Sequence, residues 1–214
     1  MSISEIIRAN GVFFSIAFAA ISFAAVTLVV WRFIKNYHAR SNLEEFLAQL
    51  EQELETGGGR AAFEFCQRQA NETRQLLPKV FTAALKHGHQ GKIAARDAIA
   101  DCIDTELLPS LQSLLPYILL LIKTAPMVGL LGTVVGMIGA FQTIAGATKV
   151  DPSALAADIG MALFTTAEGL LIAIPLIFFY TLFRERVQQF ELQLQQGAQE
   201  ALRLLPRIFS QPES

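Results

Sequence analysis

Charged side chains are scarce in this chain of 214 residues: they make up 17% of it, against about a quarter in an ordinary soluble domain. Hydrophobic residues make up 52%, and the chain contains 16 phenylalanines. This balance argues against an isolated soluble enzyme and indicates a membrane protein. The formal net charge is −2, and no block of lysine and arginine stands out. The clustered basic surface of a nucleic-acid-binding protein is therefore excluded.

Cysteine and histidine are equally rare. Two cysteines, Cys66 and Cys102, cannot form a disulfide framework, so nothing requires an oxidising compartment. His87 and His89 flank a glycine, but no third metal ligand stands near them, and we interpret the pair as a solvated turn. No nucleophile and base stand in a catalytic arrangement. The sequence thus predicts no enzyme, no catalytic residue, no cofactor and no metal site.

Three long apolar segments dominate the chain. The first, residues 12–31, has no charge, and at 1.5 Å per residue such a helix is roughly 30 Å long, the thickness of the hydrocarbon core of a bilayer. A cleaved signal peptide is the alternative, but bulky Trp31 and Arg32 occupy the place of a small-residue cleavage site. Two more segments follow at 124–148 and 159–183. The predicted fold is an all-α integral membrane protein with three transmembrane helices.

The remaining segments are predicted to form long helical extensions. A capping box at Ser41–Glu44 begins a helix that the glycines at 57–59 should break, because three glycines lose too much backbone entropy inside a helix. A turn is expected at 88–91. From there the pattern predicts a helix that runs with little interruption into the second span, and the third span is predicted to continue into a C-terminal helix.

Basic residues near the ends of the spans predict the orientation, because cytoplasmic loops carry an excess of lysine and arginine. If the three spans alternate in direction, one side of the membrane has six such residues and the other side has Arg8 and Lys149. The six are Arg32, Lys35, Arg40, Lys123, Arg184 and Arg186. The predicted order is a periplasmic N-terminus (1–11), a first span (12–31), a cytoplasmic helical segment (32–123), a second span (124–148), a periplasmic hairpin (149–158), a third span (159–183) and a cytoplasmic helix and tail (184–214).

Small residues follow one face of the second span when residues are placed at 100° intervals, and bulky residues lie opposite. Small residues let helices approach closely in lipid, so this face is predicted to pack against another helix. The third span groups two hydroxyls and a glycine on one face, and these hydroxyls either bond to a neighbouring helix or hold a file of water. The packing residues predicted in this way are Gly129, Gly132, Gly136, Gly139 and Gly169, and the hydroxyls are Thr165 and Thr166.

Glu168 is the only charged residue of the third span. A carboxylate near the middle of a span costs roughly 2.5 to 3.5 kcal/mol on insertion scales, so an acid there indicates function. Glu168 lies one helical turn from Thr165 and can face an interior rather than lipid. The alternative is a structural acid that a neighbouring helix satisfies.

The runs TAPMVGLLGTVVGMIGAF (124–141) and GMALFTTAEGLLIAIP (160–175) resemble the MotA/TolQ/ExbB proton channel family. The run ELLPSLQSLLPYILLLIK (106–123) is similar to the cytoplasmic helix of that family. The resemblance is specific over 106–180 and architectural elsewhere. Three spans with a long first cytoplasmic segment match the ExbB/TolQ branch rather than the flagellar branch.

This resemblance implies a homopentamer in the bacterial inner membrane around a single-span ExbD/TolR-like partner whose membrane aspartate carries the proton. Thr133 and Thr166 match the threonines that line the pore in the family, and Thr165 and Glu168 are further candidates for the ion pathway. The resemblance also implies that proton motive force energises envelope processes such as TonB-dependent outer-membrane import, through a TonB-like transducer. One acid and several hydroxyls suit either H⁺ or Na⁺ as the ion.

One position departs from the family pattern. ExbB-like and TolQ-like members usually carry a glutamate five residues before the second pore threonine, and this chain has Met161 there. Our hypothesis is that Glu168 replaces the missing carboxylate two turns deeper on nearly the same helical face. Alternatively, Glu168 contacts a neighbouring subunit and the partner alone handles the proton. The alternative function is a non-conducting helical scaffold or sensor in the lipid membrane.

Overall fold

The computed structural model describes residues 3–38, 43–72, 75–146 and 151–210, and within these ranges every element is a helix. The all-α prediction is therefore confirmed. The predicted cap at Ser41, residues 149–150 of the predicted hairpin and the tail at 211–214 lie outside the described residues. The helices are α1 (Ile3–His38), α2 (Leu43–Glu72), α3 (Leu77–Gly88), α4 (Lys92–Asp101), a π-helical turn (Cys102–Leu107), α5 (Leu108–Gln112), α6 (Leu115–Gly146) and α7 (Pro152–Ser210).

Three of the helical stretches are long and apolar enough to cross a membrane, which confirms the predicted number of spans. They lie within Val12–Asn36, Lys92–Gly146 and Pro152–Phe209. In each of these stretches, at most 28% of the most apolar 18-residue segment is buried inside the chain. Large side chains such as Phe23 and Leu171 expose 77% and 74% of their surface. A contiguous apolar surface of this kind requires a membrane or another protein around it.

The chain divides into two compact units. The first unit consists of Met1–Arg32 and Leu114–Leu182, and it contains the apolar parts of α1, α6 and α7. The second unit consists of Phe33–Ser113 and Phe183–Ser214. Each unit has its own buried residues.

Large apolar side chains form the core of the second unit. The ring of Phe46 lies 5.8 Å from that of Phe65 and 5.1 Å from that of Phe81, measured between centroids. In α7 eight buried positions after residue 182 alternate between intervals of four and three residues, the spacing of a coiled-coil seam, and Leu205 is buried in addition to these eight. These positions are Phe183, Val187, Phe190, Leu194, Gly197, Ala201, Leu204 and Ile208. A Cβ at Gly197 would lie 2.6 Å from Leu77 Cδ2, so α7 and α3 touch there.

Glycine interrupts the helices of the second unit where the sequence predicts it. Gly58 has φ 66° and ψ −164° and kinks α2, and Gly91 has φ 104° and precedes α4. Both conformations lie in a region that side chains with a Cβ rarely adopt. The predicted breaks at 57–59 and 88–91 are therefore confirmed.

Two helix boundaries differ from the prediction. The expected run into the second span is broken at Ser113 (ψ 146°) and Leu114 (φ 72°), so the prediction of little interruption is wrong here. Pro116 then lies in the first turn of α6, where its missing N–H has no helical bond to lose. In addition, α7 begins at Pro152, inside the predicted hairpin (149–158), because the Asp151 carboxylate accepts the Ser153 N–H at 2.9 Å and caps the helix.

Gly58→Ala tests the kink in α2. Alanine at this φ and ψ is strained, so we expect the free energy of unfolding to fall by about 1 to 3 kcal/mol. The melting temperature of the purified protein in detergent measures this. Gly160→Ala is the matched control, because Gly160 lies inside α7 with no described atom within 4 Å of the position of its Cβ. The control should be neutral or stabilising by up to about 1 kcal/mol, and equal losses in both variants would contradict the assignment.

Cys66 offers a second test of the core. Its side chain is fully buried in the second unit, and burial raises the pKa of the thiol to about 12. The thiolate is the reactive form, so iodoacetamide should leave Cys66 unmodified at pH 8 in the folded Cys102→Ser chain. The same chain in denaturant should be modified completely, as mass spectrometry can measure. Rapid modification of the folded chain would show that this core is open.

Candidate functional site

The helices α6 and α7 of the first unit make backbone contact through glycines. A Cβ built on Gly129 would lie 2.8 Å from the carbonyl oxygen of Thr165, and one on Gly169 would lie 2.6 Å from the carbonyl oxygen of Ala125. No real Cβ approaches a backbone oxygen so closely. Glycine is therefore required at these positions, as helix packing in lipid predicts.

The same contact continues along both helices. A Cβ on Gly132 would lie 2.5 Å from Thr165 Oγ1, and one on Gly136 would lie 2.8 Å from the Cβ of Ala162. Four of the five predicted packing glycines thus lie in the contact. Gly139 does not, since no atom of the described chain lies within 4 Å of the position of its Cβ.

Thr165 links the two helices by a hydrogen bond. Its side chain is 3% exposed, and its hydroxyl oxygen lies 3.1 Å from the Gly129 carbonyl oxygen of α6 and 2.7 Å from the Ala162 carbonyl oxygen of its own helix. The single hydroxyl proton is shared between these acceptors. The structure therefore places Thr165 inside the packed contact rather than along an open surface.

Thr133 and Thr166 lie at the edge of this contact. The Thr133 hydroxyl donates to the Leu130 carbonyl of its own helix at 2.7 Å, and the side chain is half-buried. Thr166 is also half-buried, but its hydroxyl oxygen is screened from solvent and has no hydrogen-bond partner among the described residues. A buried hydroxyl without a partner is uncommon and calls for an explanation.

Two cavities show on which side of α6 and α7 the helix α1 lies. We call the first the polar cavity; its volume is about 350 Å³. It is lined by Phe14, Gly132, Val135, Gly136, Gly139, Ala140, Thr143, Asp158, Met161, Ala162 and Thr165. The second, of the same volume, we call the apolar cavity. It is lined by Ser22, Ala25, Val26, Val29, Val30, Leu171, Ile172, Pro175, Leu176 and Phe179.

Glu168 belongs to the side of α7 that faces α1. At 100° per residue it lies within roughly 40° of Met161 and Ile172, which line the two cavities together with residues of α1. Thr166 is roughly 160° away from Glu168 around the helix, and neither Thr133 nor Thr166 is among the lining residues of these cavities. The Glu168 side chain is half-buried.

The structure therefore distributes the four predicted ion-pathway residues over three surfaces. Thr165 lies in the contact between α6 and α7, Thr133 and Thr166 lie at its edge away from α1, and Glu168 lies on the side of α1. Sequence reasoning missed Asp158, which lines the polar cavity. Its spacing from Met161 and Thr165, three and seven residues, places all three on one helical face and was the available signal.

A metal site does not emerge from this geometry. Within the described ranges, no three His, Cys, Asp or Glu side chains lie close enough together to share a metal ion.

Comparison with known proteins decides the family. Residues 72–196, more than half of the chain, match the model of the MotA/TolQ/ExbB proton channel family. The chain belongs to this family. The match includes α6 and the part of α7 that packs against it, and it confirms the resemblance of the two motif runs.

Curated relatives come from the ExbB and TolQ members of the family. An ExbB homolog of Methanothermobacter thermautotrophicus is 28% identical over 149 residues, which are 70% of this chain and 51% of that protein. The biopolymer transport protein exbB1 of Vibrio cholerae is 36% identical over 105 residues, 49% of this chain and 46% of the relative. The Tol-Pal system protein TolQ of Haemophilus influenzae is 35% identical over 82 residues, 38% of this chain and 36% of the relative. The chain spans about half or less of the length of these relatives.

Alanine at Gly129 tests the contact between α6 and α7. The new Cβ meets the Thr165 backbone, which cannot rotate away, so we expect a loss of about 1 to 3 kcal/mol from overpacking. Thermal unfolding in detergent measures this loss. Gly139→Ala is the matched control on the same helix and should stay within about 0.5 kcal/mol of the original protein. Similar melting temperatures for the two variants would mean that the helices do not touch at Gly129.

Proposed function

We propose that this chain is the proton-channel subunit of an ExbB/TolQ-type complex in the bacterial inner membrane, with Thr133 and Thr166 along the ion pathway. Its membership of a proton channel family and the ExbB and TolQ names of its relatives support this role. In such a complex, proton motive force drives work on the cell envelope, of which TonB-dependent outer-membrane import is one example.

The observation that carries the proposal is the Thr166 hydroxyl. It is screened from solvent, it has no hydrogen-bond partner among the described residues, and it lies on the edge of the helix pair that faces away from α1. A buried hydroxyl is normally paired with protein or ordered water. Because this oxygen is screened by the chain itself, its neighbours must move for water or a group from another chain to bond to it, and we propose that this happens in the assembled channel.

The assembly in the proposal follows the family resemblance. Five copies surround a single-span ExbD/TolR-like partner whose aspartate carries the proton, and a TonB-like protein transmits the work in an ExbB-type system. The exposed bulky face of α6 leaves room for neighbouring helices and lipid.

The orientation in the proposal rests on the basic residues at the span ends. Lys123, Arg184 and Arg186 are exposed, as side chains in a cytoplasmic environment would be. Arg32, in contrast, is 1% exposed at the end of the first span, so it adds to the charge asymmetry from within the protein. This orientation places the N-terminus in the periplasm and the C-terminus in the cytoplasm.

Proton flux in liposomes tests the proposal. The protein is reconstituted alone and with its candidate single-span partner, and a pH-sensitive dye inside the vesicles reports flux. We expect partner-dependent flux that is mostly lost in Thr166→Val, because valine has the shape of threonine without the hydroxyl. Thr181→Val is the matched control: Thr181 lies on the same helix, is exposed, and donates to its own helix at Ile177.

Other outcomes would contradict the proposal in different ways. Equal flux in the Thr166→Val and Thr181→Val variants would remove Thr166 from the pathway. Absence of flux under every condition, with the complex assembled, would favour a non-conducting scaffold that uses the α6–α7 contact for assembly alone.

A further inference from the structure

The polar cavity has the features of a hydrated space. It offers the carboxylate of Asp158 and the hydroxyl oxygen of Thr143, which donates to the Gly139 carbonyl but can still accept hydrogen bonds from water. Its wall on α6 includes three glycines, which leave the helix backbone uncovered. A volume of about 350 Å³ holds several waters, and a cavity with such partners is expected to contain them.

The apolar cavity provides a comparison within the same unit. It has the same volume and also lies between α1 and α7, but Ser22 has the only polar side chain among the described residues that line it. Cavities lined by apolar side chains stay dry or take apolar molecules. The two cavities therefore have the same volume and both lie against α1 and α7, but they differ in the polarity of the side chains that line them.

Glu168 lies just beyond the inner end of the polar cavity. Asp158, Met161 and Thr165 line the cavity in order along α7, and Glu168 follows three residues after Thr165, about 4.5 Å further along the helix axis. It lies on the same side of the helix as Met161. The cavity thus connects one carboxylate, at Asp158, with the neighbourhood of a second one deep in the span.

We propose that the polar cavity is a hydrated vestibule through which a proton reaches Glu168 from the Asp158 end of the helices. This route lies inside one subunit, between α1, α6 and α7. It is separate from the edge that carries Thr133 and Thr166, on the other side of the α6–α7 contact. A charged group in mid-span is tolerated where it faces protein or water, and the vestibule brings water to within about one helical turn of Glu168. The inference rests on the proposed function for its role in transport, but the hydration of the cavity is independent of transport.

Cysteine accessibility tests the hydration directly. The full chain carries Cys102→Ser together with either Met161→Cys in the polar cavity or Ile172→Cys in the apolar cavity, and Cys102→Ser alone gives the baseline. Both test positions are half-buried on the same side of α7. A methanethiosulfonate with a trimethylammonium group is added to both faces of proteoliposomes. Met161→Cys should react at least about tenfold faster, because a thiol must ionise in water to react. Equal rates would overturn the proposal.

The entrance at Asp158 has its own test. Asp158→Asn in the Met161→Cys chain should slow the cationic reagent several-fold, because the carboxylate attracts cations to the mouth of the cavity. The rate with uncharged methyl methanethiosulfonate should stay the same. A cationic rate that does not respond to Asp158→Asn would overturn the proposed entrance.

Flux through the vestibule is tested by filling it. Gly139 lines the cavity and has open space at its Cβ, so the leucine of Gly139→Leu starts into the cavity without a clash at its Cβ. With the partner present, we expect proton flux to fall to the level of Glu168→Gln, and the double variant to be no lower than either single variant. Full flux in Gly139→Leu or in Glu168→Gln, together with loss in Thr166→Val, would overturn the vestibule and leave the proposed function standing. If even the unaltered protein fails to conduct, the proposed function fails, and the thiol rates still decide whether the cavity is hydrated.

Discussion

Close contact between the backbones of α6 and α7 is the constraint on which the first unit depends. Two helices in lipid gain nothing from the hydrophobic effect when they associate, because acyl chains are as apolar as leucine. Gly129 and Gly169 instead bring each backbone against the other helix, and Thr165 adds a hydrogen bond to the Gly129 carbonyl. Contacts at backbone distance leave little freedom for either helix to rotate or slide. They therefore decide where every other side chain of the pair lies.

Because the contact fixes the rotation of α6 and α7 about their axes, their polar side chains lie on two edges, one on each side of the packed contact. Thr133 and Thr166 lie on the edge away from α1, and Glu168 lies on the edge towards it, beside the polar cavity. Polar groups in a span are expensive unless they face protein or water, so both edges need an environment other than lipid. For the first edge, the proposed neighbouring chains and the water of the ion pathway would supply that environment. For the second edge, α1 and the cavity supply it within the chain.

Much of this arrangement follows from the sequence, because close packing in lipid needs small residues at helical spacing. That rule identifies Gly129, Gly132, Gly136 and Gly169, whereas Gly139 shares the face but faces open space. The break at Leu114 has no such signal: leucine rarely adopts a positive φ, and only Pro116 marks the new helix. Periodicity also cannot distinguish the two edges, because that depends on where α1 packs, more than a hundred residues away along the chain.

The helix α7 belongs to both units of the chain, and the size of its buried side chains differs between them. Its buried positions recur every three or four residues from Ala162 to Leu176 and again from Phe183 to Leu204, but their size differs between the two stretches. Small residues predominate before Leu176, and Phe183, Val187 and Phe190 follow it. In lipid, small residues stabilise a helix pair by close approach, whereas in water large apolar side chains stabilise it by burial. The change in side-chain size falls at the division between the two units, at Leu182 and Phe183, where the sequence predicts the end of the third span. The charges that begin at Arg184 are the sequence signal for that prediction.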